Sequence, residues 1–176
     1  MDAAHPSPDR SIVLVGLMGA GKSTVGRRLA KRLGMDFVDT DAEIERAADH
    51  SIAEMFDLYG EPSFRDGERR VIARLIGGPP RVIATGGGAF IDPRTRALIL
   101  AECIAIWLDA DVGTLAERVS RRGHRPLVKG KDPLPILEKF AADRNPIYAE
   151  AHLHIRSQAS PHARAVDEIV AALAGL

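Results

Sequence analysis

Gly16-Leu17-Met18-Gly19-Ala20-Gly21-Lys22-Ser23-Thr24 stands between the apolar run Ser11 to Val15 and an amphipathic stretch that begins near Lys22. A strand, a glycine loop of the form G-x4-G-K-[ST] and a helix in this order are typical of a phosphate-binding P-loop. The glycines let backbone N–H groups turn toward phosphate oxygens, and the positive end of the helix dipole faces the same anion. In this register Lys22 is expected to reach the β and γ phosphates, and Ser23 rather than Thr24 to hold Mg²⁺. The alternative is a plain glycine-rich turn, but the flanking pattern favours a nucleoside triphosphate site.

The composition is that of a globular protein without a bulk charge bias. The chain has 176 residues, with 24 Lys and Arg balanced by 24 Asp and Glu, so its formal net charge is zero. This length suits one domain with a sizeable core, and the balance gives no reason to expect a nucleic-acid or membrane partner. Cys103 is the only cysteine and lies in an apolar run, which favours a core residue in a reducing compartment.

The amino-terminal segment contains Pro6 and Pro8 and lacks the apolar stretch of a signal peptide. We therefore expect a disordered tail over residues 1–10 and a single domain over 11–176. Because no apolar segment is long enough to span a bilayer, the sequence predicts a cytoplasmic protein.

Short β-like runs alternate with helical patterns along the whole chain. The runs are Ser11 to Val15, Asp36 to Asp39, Arg81 to Thr85, Ile104 to Leu108 and His152 to Arg156. The helical patterns are Lys22 to Leu33, Ile52 to Ile76 with a break near Gly60 and Pro62, Pro93 to Leu100, Val112 to Ser120, Pro133 to Ala149 and Ala163 to Ala174. This alternation predicts an α/β fold in which helices cover both faces of a five-stranded parallel sheet. In such folds ligands bind at the carboxyl ends of the strands, so the residues after each run are the candidates for function.

Two carboxylates follow the second run, at Asp39 and Asp41. One could complete a Mg²⁺ shell while the other accepts hydrogen bonds from a substrate hydroxyl. The alternative is that Thr40 or Asp41 simply caps a helix that starts at Ala42. The neighbouring P-loop favours the functional interpretation.

Three consecutive glycines, Gly86, Gly87 and Gly88, follow the third run. They permit close backbone approach and offer unshielded N–H groups to an anion or a hydroxyl, although a flexible linker is the simpler alternative.

The fourth run ends in Asp109 and resembles the strand that carries a metal-binding aspartate in other P-loop proteins. Asp109 and Asp111 also precede the helical pattern Val112 to Ser120, where carboxylates satisfy the first N–H groups. We prefer the capping interpretation for both, which leaves Asp39 as the metal residue.

Clustered and isolated arginines complete the candidates. The segment from 118 to 131 is rich in Arg, Lys and Gly, which is typical of a mobile basic lid that closes over phosphates, or of a solvated loop. Arg65 and Arg144 stand apart from it, and a converging pair would suit a small acidic substrate. Taken singly, each would be a surface salt-bridge partner.

Together these motifs resemble the shikimate kinase family. The segments that carry the resemblance are the P-loop, Asp39-Thr40-Asp41, Gly60-Glu61-x-x-Phe64-Arg65-x-x-Glu68, Gly86-Gly87-Gly88, Arg125-Pro126-Leu127 and Arg144-x-Pro146-x-Tyr148. The resemblance covers about Ile12 to Tyr148 and implies a nucleoside-monophosphate-kinase-like, three-layer P-loop fold. It also implies transfer of the γ-phosphoryl group of ATP to the 3-hydroxyl of shikimate, a step in chorismate and aromatic amino acid biosynthesis, by a monomer.

The resemblance also assigns roles by motif position. ATP would be bound by the loop and two arginines: Gly19, Ala20, Gly21, Lys22, Ser23, Thr24, Arg118 near the adenine and Arg125 in the lid at the phosphates. Ser23 and Asp39 would serve Mg²⁺. Asp41 would hold the substrate hydroxyls and help to deprotonate the attacking one, with Lys22 and Arg125 as the other catalytic residues. The shikimate site would consist of Asp41, Arg65, Gly86, Gly87, Gly88 and Arg144.

Three other functions remain possible at this point. Another small-molecule P-loop kinase, such as a gluconate kinase, would share the loop but has no reason to keep the arginine motif and the triple glycine together. A guanine-nucleotide switch is disfavoured because the chain has no Asn-Lys-x-Asp motif. A catalytically inactive nucleotide-binding module would be expected to lose Lys22, Asp41 or Arg65, and all three are present. The histidines lie outside the motif cores, apart from His124 in the basic segment, and we expect none to bind a metal.

Overall fold

A computed structural model describes residues 8–122, 130–157 and 162–176. Its centre is a sheet of five parallel strands in the spatial order β2-β3-β1-β4-β5. The strands are β1 (Ile12–Val15), β2 (Asp36–Asp39), β3 (Arg81–Ala84), β4 (Ile104–Ala110) and β5 (Leu153–Ser157). All five predicted runs are therefore confirmed, and β4 extends two residues beyond the predicted end at Leu108.

Seven helices are present in the described ranges. They are α1 (Lys22–Leu33), α2 (Thr40–Ala48), α3 (Ile52–Ile76), α4 (Pro93–Glu102), α5 (Val112–Arg122), α6 (Pro133–Tyr148) and α7 (His162–Leu173). A short 3-10 helix, Ala89–Ile91, follows the triple glycine. The sequence allowed for a helix from Ala42 only as a capping alternative, whereas α2 begins two residues earlier.

The central strands are the core of the molecule. Every residue of β1 is fully buried, and β4 is buried along nearly its whole length. Strands covered on both faces read as continuous apolar runs, which is why these segments were recognisable in the sequence. The right-handed crossover rule places α1 on one face and the helices between β2 and β5 on the other, and α7 packs against α1.

The predicted break in the long third helix is confirmed at Gly60. Its φ and ψ angles are 77° and 168°, outside the helical region. Pro62 is tolerated because it lies in the first turn after the break, where no N–H bond to the preceding turn is needed. The helix begins with a capping box between Ser51 and Glu54. None of the helices in the described part of the chain is long and apolar enough to cross a membrane.

Candidate active site

The P-loop joins β1 to α1 at the carboxyl edge of the sheet. Gly16, Gly19 and Gly21 have φ angles of 141°, 82° and 91°, which L side chains rarely adopt. Gly21 precedes α1 and has no side chain, so it leaves the first amides of the helix available to an anion. The Lys22 ammonium is buried and donates hydrogen bonds to the carbonyl oxygens of Gly16, at 2.7 Å, and Leu17, at 2.9 Å. It is thus held over the loop where phosphates would bind.

Asp39 connects the P-loop to the second strand. Its Oδ2 accepts a hydrogen bond of 2.6 Å from Ser23 Oγ. Its Oδ1 accepts from the backbone amides of Asp41, at 2.9 Å, and Ala42, at 3.4 Å, and so caps α2. The expected alternative of a cap at Thr40 or Asp41 is therefore wrong, because the capping residue is Asp39 itself. The two kinds of contact use different oxygens of the carboxylate, so capping α2 leaves Oδ2 on the side of Ser23.

The pair of oxygens at Ser23 and Asp39 fits a small divalent cation. A hydroxyl and a carboxylate are hard oxygen donors of the kind that Mg²⁺ prefers, and they meet beside the helix N-terminus that faces the phosphates. No cluster of three or more His, Cys, Asp or Glu side chains suited to a metal occurs among the described residues.

Asp109 does not cap a helix. Because β4 continues to Ala110, Asp109 lies within the strand, and its Oδ2 contacts His154 Nε2 at 2.9 Å and Arg156 Nε at 3.6 Å on β5. Only the second predicted cap is confirmed, since Asp111 Oδ2 accepts from the amide of Thr114 at 3.1 Å.

The triple glycine brings the remaining predicted side chains together. A Cβ atom at Gly86 would lie 2.8 Å from Asp41 Oδ1, and one at Gly88 would lie 2.2 Å from Arg65 Nη2. A Cβ atom at Gly87 would lie 3.5 Å from Arg144 Nη1. One carboxylate and two guanidinium groups from three different helices therefore surround a single loop.

Arg65 is held by the buried carboxylate of Glu68. This residue belongs to the same sequence motif, but the sequence predicted no role for it. Arg65 Nη1 lies 2.8 Å from Oε1 of Glu68, a residue only 1% exposed. Burial raises the pKa of Glu68, although the Arg65 charge opposes the shift. Phe64 and Phe56 flank the guanidinium, with ring centres 5.2 and 5.9 Å from Cζ. The spacing of three helical residues between arginine and glutamate could have suggested this pair.

Arg144 approaches the same loop from α6. Its Cζ lies 4.1 Å from the centre of the Phe140 ring, one helical turn earlier. One turn later, the buried Tyr148 hydroxyl donates a hydrogen bond to the carbonyl oxygen of Gly87. Burial raises the pKa of Tyr148 to about 12, so the hydroxyl remains a donor at neutral pH.

A cavity of about 530 Å³ opens beside Arg65, Gly88 and Arg144. Arg69 and Arg94 line its outer part, where no motif pointed to them. Arg69 pairs with Asp66 at 2.9 Å, and Asp92 in the wall caps α4. Glu61 lines the cavity as well, so four arginines accompany three carboxylates there, and this small excess of positive charge suits an acidic small molecule.

Of the two arginines predicted to bind the nucleotide, Arg118 lies within the described residues and Arg125 lies outside them. Arg118 Nη1 donates to the carbonyl oxygen of Gly19 at 3.1 Å, so this side chain lies against the P-loop. Arg125 and His124, in the basic segment from 118 to 131, fall within residues 123–129 and outside the described ranges, as do residues 1–7 of the predicted tail. His162, taken as incidental, also lies at the loop, because a Cβ atom at Gly21 would be 2.8 Å from its Cε1.

Comparison with known proteins gives a consistent result. The family model described as shikimate kinase matches residues 18–174. A shikimate kinase of Caulobacter vibrioides is 56% identical over 172 residues, which cover 98% of this chain and 86% of that protein. The solved shikimate kinase from Acinetobacter baumannii in complex with shikimate is 35% identical, with a TM-score of 0.90, over 96% of this chain and 95% of that one. A gluconokinase from Sinorhizobium meliloti 1021 has a TM-score of 0.66 at 20% identity, over 94% and 92% of the two chains, a likeness in fold alone.

Proposed function

This chain belongs to the shikimate kinase family, and we propose how its own residues carry out the family's reaction. It is an ATP-dependent kinase that transfers a phosphoryl group to shikimate, giving shikimate 3-phosphate and ADP. The observation that carries the residue assignments is the meeting of Asp41, Arg65 and Arg144 around the glycine loop, beside the P-loop.

The two arginines would bind the carboxylate of shikimate. A guanidinium group can donate two parallel hydrogen bonds to a carboxylate, and Arg65 is already oriented by Glu68. With Gly86, Gly87 and Gly88 lining the same pocket, the ring would be held at one end. Asp41 would then hold the hydroxyls at the other end and accept the proton of the attacking 3-hydroxyl.

The phosphates of ATP would lie in the P-loop, among the amides of Gly19, Ala20, Gly21, Lys22, Ser23 and Thr24. Lys22 would exchange its two carbonyl partners for phosphate oxygens and stabilise the charge that develops on the transferred group. Ser23 and Asp39 would hold Mg²⁺, directly or through water, and the ion would neutralise phosphate charge when bound. Arg118 would lie beside the nucleotide, and Arg125 would add a further charge.

The broader assignments belong to the same proposal. Residues 11–176 form one domain, preceded by a tail over 1–10 and containing a lid over about 118–131. The protein works as a cytoplasmic monomer on small molecules, without a nucleic-acid or membrane partner. Its balanced charge supports this view.

The test is ADP release from the purified protein with Mg·ATP and one acceptor at a time. Shikimate, quinate, gluconate, nucleoside monophosphates and no acceptor are compared. We expect release that depends on shikimate, with little from gluconate or nucleotides. Release stimulated by gluconate alone would favour the other small-molecule kinase and contradict the roles of Arg65 and Arg144 in binding shikimate. Background rates with every acceptor would identify an inactive binding module.

A further inference from the structure

Tyr148 occupies a buried position between the glycine loop and the carboxyl end of α6. Its side chain is fully buried, and its ring lies 6.5 Å from Phe90 and 6.1 Å from Trp107, measured between ring centres. The chain has only two tyrosines. The other, Tyr59, is 59% exposed. A tyrosine in an apolar setting usually keeps a hydrogen-bond partner, because an unpaired hydroxyl there costs free energy.

The partner of Tyr148 is the carbonyl oxygen of Gly87, which accepts a hydrogen bond from the hydroxyl. The peptide unit between Gly87 and Gly88 is planar and trans, so fixing its carbonyl also fixes the N–H of Gly88 in the opposite direction. Gly88 is the residue that lies against Arg65 Nη2. One hydroxyl therefore sets the orientation of the peptide group that faces one of the two clamp arginines.

Tyr148 is also linked to the second clamp arginine. It follows Arg144 by one helical turn on α6, and the positive charge of Arg144 partly offsets the effect of burial on the pKa of Tyr148. Both side chains approach Gly87, because the Tyr148 hydroxyl donates to its carbonyl oxygen and a Cβ atom there would lie 3.5 Å from Arg144 Nη1. The hydroxyl is therefore close to both halves of the carboxylate site.

The glycine loop has a second, independent attachment. Arg96 Nη1 donates to the carbonyl oxygens of Phe90, at 3.2 Å, and Ile91, at 3.1 Å, and its Nε lies 2.8 Å from Glu150. The 3-10 helix after the triple glycine is therefore fixed to α4 and to the end of α6 without the tyrosine hydroxyl. Removing that hydroxyl should loosen one peptide group and leave the segment folded.

We propose that Tyr148 is a positioning residue that sets the carboxylate clamp of the substrate site through the Gly87–Gly88 peptide and Arg144. The inference rests on the proposed function of Arg65 and Arg144. Tyr148 does not touch the reacting atoms. It determines how well the site discriminates a substrate that carries a carboxylate from one that does not.

The experiment compares Tyr148→Phe with the wild type and with Tyr59→Phe, the matched control on the surface. Phenylalanine keeps the ring and its apolar contacts. The change therefore removes only the hydroxyl of Tyr148 and the hydrogen bond that it donates to the carbonyl oxygen of Gly87. We expect KM for shikimate to rise roughly tenfold, as loss of one buried hydrogen bond predicts. KM for ATP and kcat should stay within about twofold of the wild type. Tyr59→Phe should change none of these three parameters.

The decisive measurement uses shikimate and its methyl ester, which lacks the negative charge. In the wild type, kcat/KM should be much higher for the acid than for the ester. In Tyr148→Phe this ratio should fall roughly tenfold, because only binding of the carboxylate depends on the clamp. Thermal unfolding followed by fluorescence of Trp107, the only tryptophan, reports on folding.

The other outcomes would contradict either the inference about Tyr148 or the proposed function. Equal losses for acid and ester, or a variant that fails to fold, would give Tyr148 a purely structural role and overturn the inference alone. An unchanged KM for shikimate would do the same. A wild type that releases ADP equally with and without shikimate would overturn the proposed function, and the inference with it.

Discussion

Gly88→Ala should damage binding of shikimate and leave binding of ATP intact. The new Cβ atom would lie 2.2 Å from Arg65 Nη2 and 2.7 Å from Arg65 Cζ, so the guanidinium must move. It is held at 2.8 Å from Glu68, which is 1% exposed, and moving it leaves that carboxylate buried without its partner. A displaced guanidinium no longer meets the shikimate carboxylate, and loss of one partner of a buried charge pair in a binding site costs about 2–5 kcal/mol. At about 1.4 kcal/mol for each factor of ten, the affinity for shikimate should fall about 30-fold or more.

The assay is steady-state ADP release with each substrate varied in turn, supported by calorimetric titration with shikimate. Gly67→Ala is the matched control, since it lies on α3 beside the same pair and a Cβ atom there meets nothing within 4 Å. We expect Gly67→Ala to behave like the wild type. If Gly88→Ala bound shikimate normally, or if both variants lost affinity equally, the steric argument and the role of Arg65 would be refuted.

Three further predictions concern other parts of the site. Gly86→Ala places a Cβ atom 2.8 Å from Asp41 Oδ1 and should displace that carboxylate. We expect kcat to fall about tenfold or more while KM for ATP is unchanged. A normal kcat in steady-state assays would contradict a role for Asp41 in the reaction. Lys22→Ala should lower kcat by about 10² or more, as loss of one preorganised charge does, and near-normal turnover would exclude its role at the phosphates. Burial raises the pKa of Glu68 above 4.5, so the folded state holds the Glu68 proton more tightly than the unfolded state does. The contribution of Glu68 to the free energy of unfolding therefore falls as pH rises from about 4.5 through the folded pKa. Urea unfolding of Glu68→Gln should lack this decline, and parallel pH profiles for variant and wild type would contradict it.

The elements that could be predicted from sequence are those whose pattern is decided locally. The P-loop has a fixed spacing and sits between a buried strand and a helix, so one motif specified its register. The strands were recognisable because burial on both faces makes them continuously apolar. The break at Gly60 followed from the conformational freedom of glycine and the geometry of Pro62.

The errors occurred where a side chain's partner lies far away in sequence. Asp109 looked like a helix cap because Val112 begins a helix just beyond it. Its partners are His154 and Arg156, which belong to a strand that pairs with β4 only in the folded state. Asp39 likewise required knowledge of Ser23 before its two oxygens could be given separate tasks. Local propensity does not contain this information.

The triple glycine shows how the fold and the chemistry are connected. None of its three residues has the left-handed φ that would require glycine for backbone reasons, and Gly88 itself has a φ of −95°. The absence of side chains suits the neighbours, because a Cβ atom at Gly86 or Gly88 would displace the Asp41 carboxylate or the Arg65 guanidinium. A flexible linker, the simpler interpretation of three glycines, would not need such approach. The loop is therefore a close-contact surface at the end of β3, and its composition follows from the charged groups that converge on it.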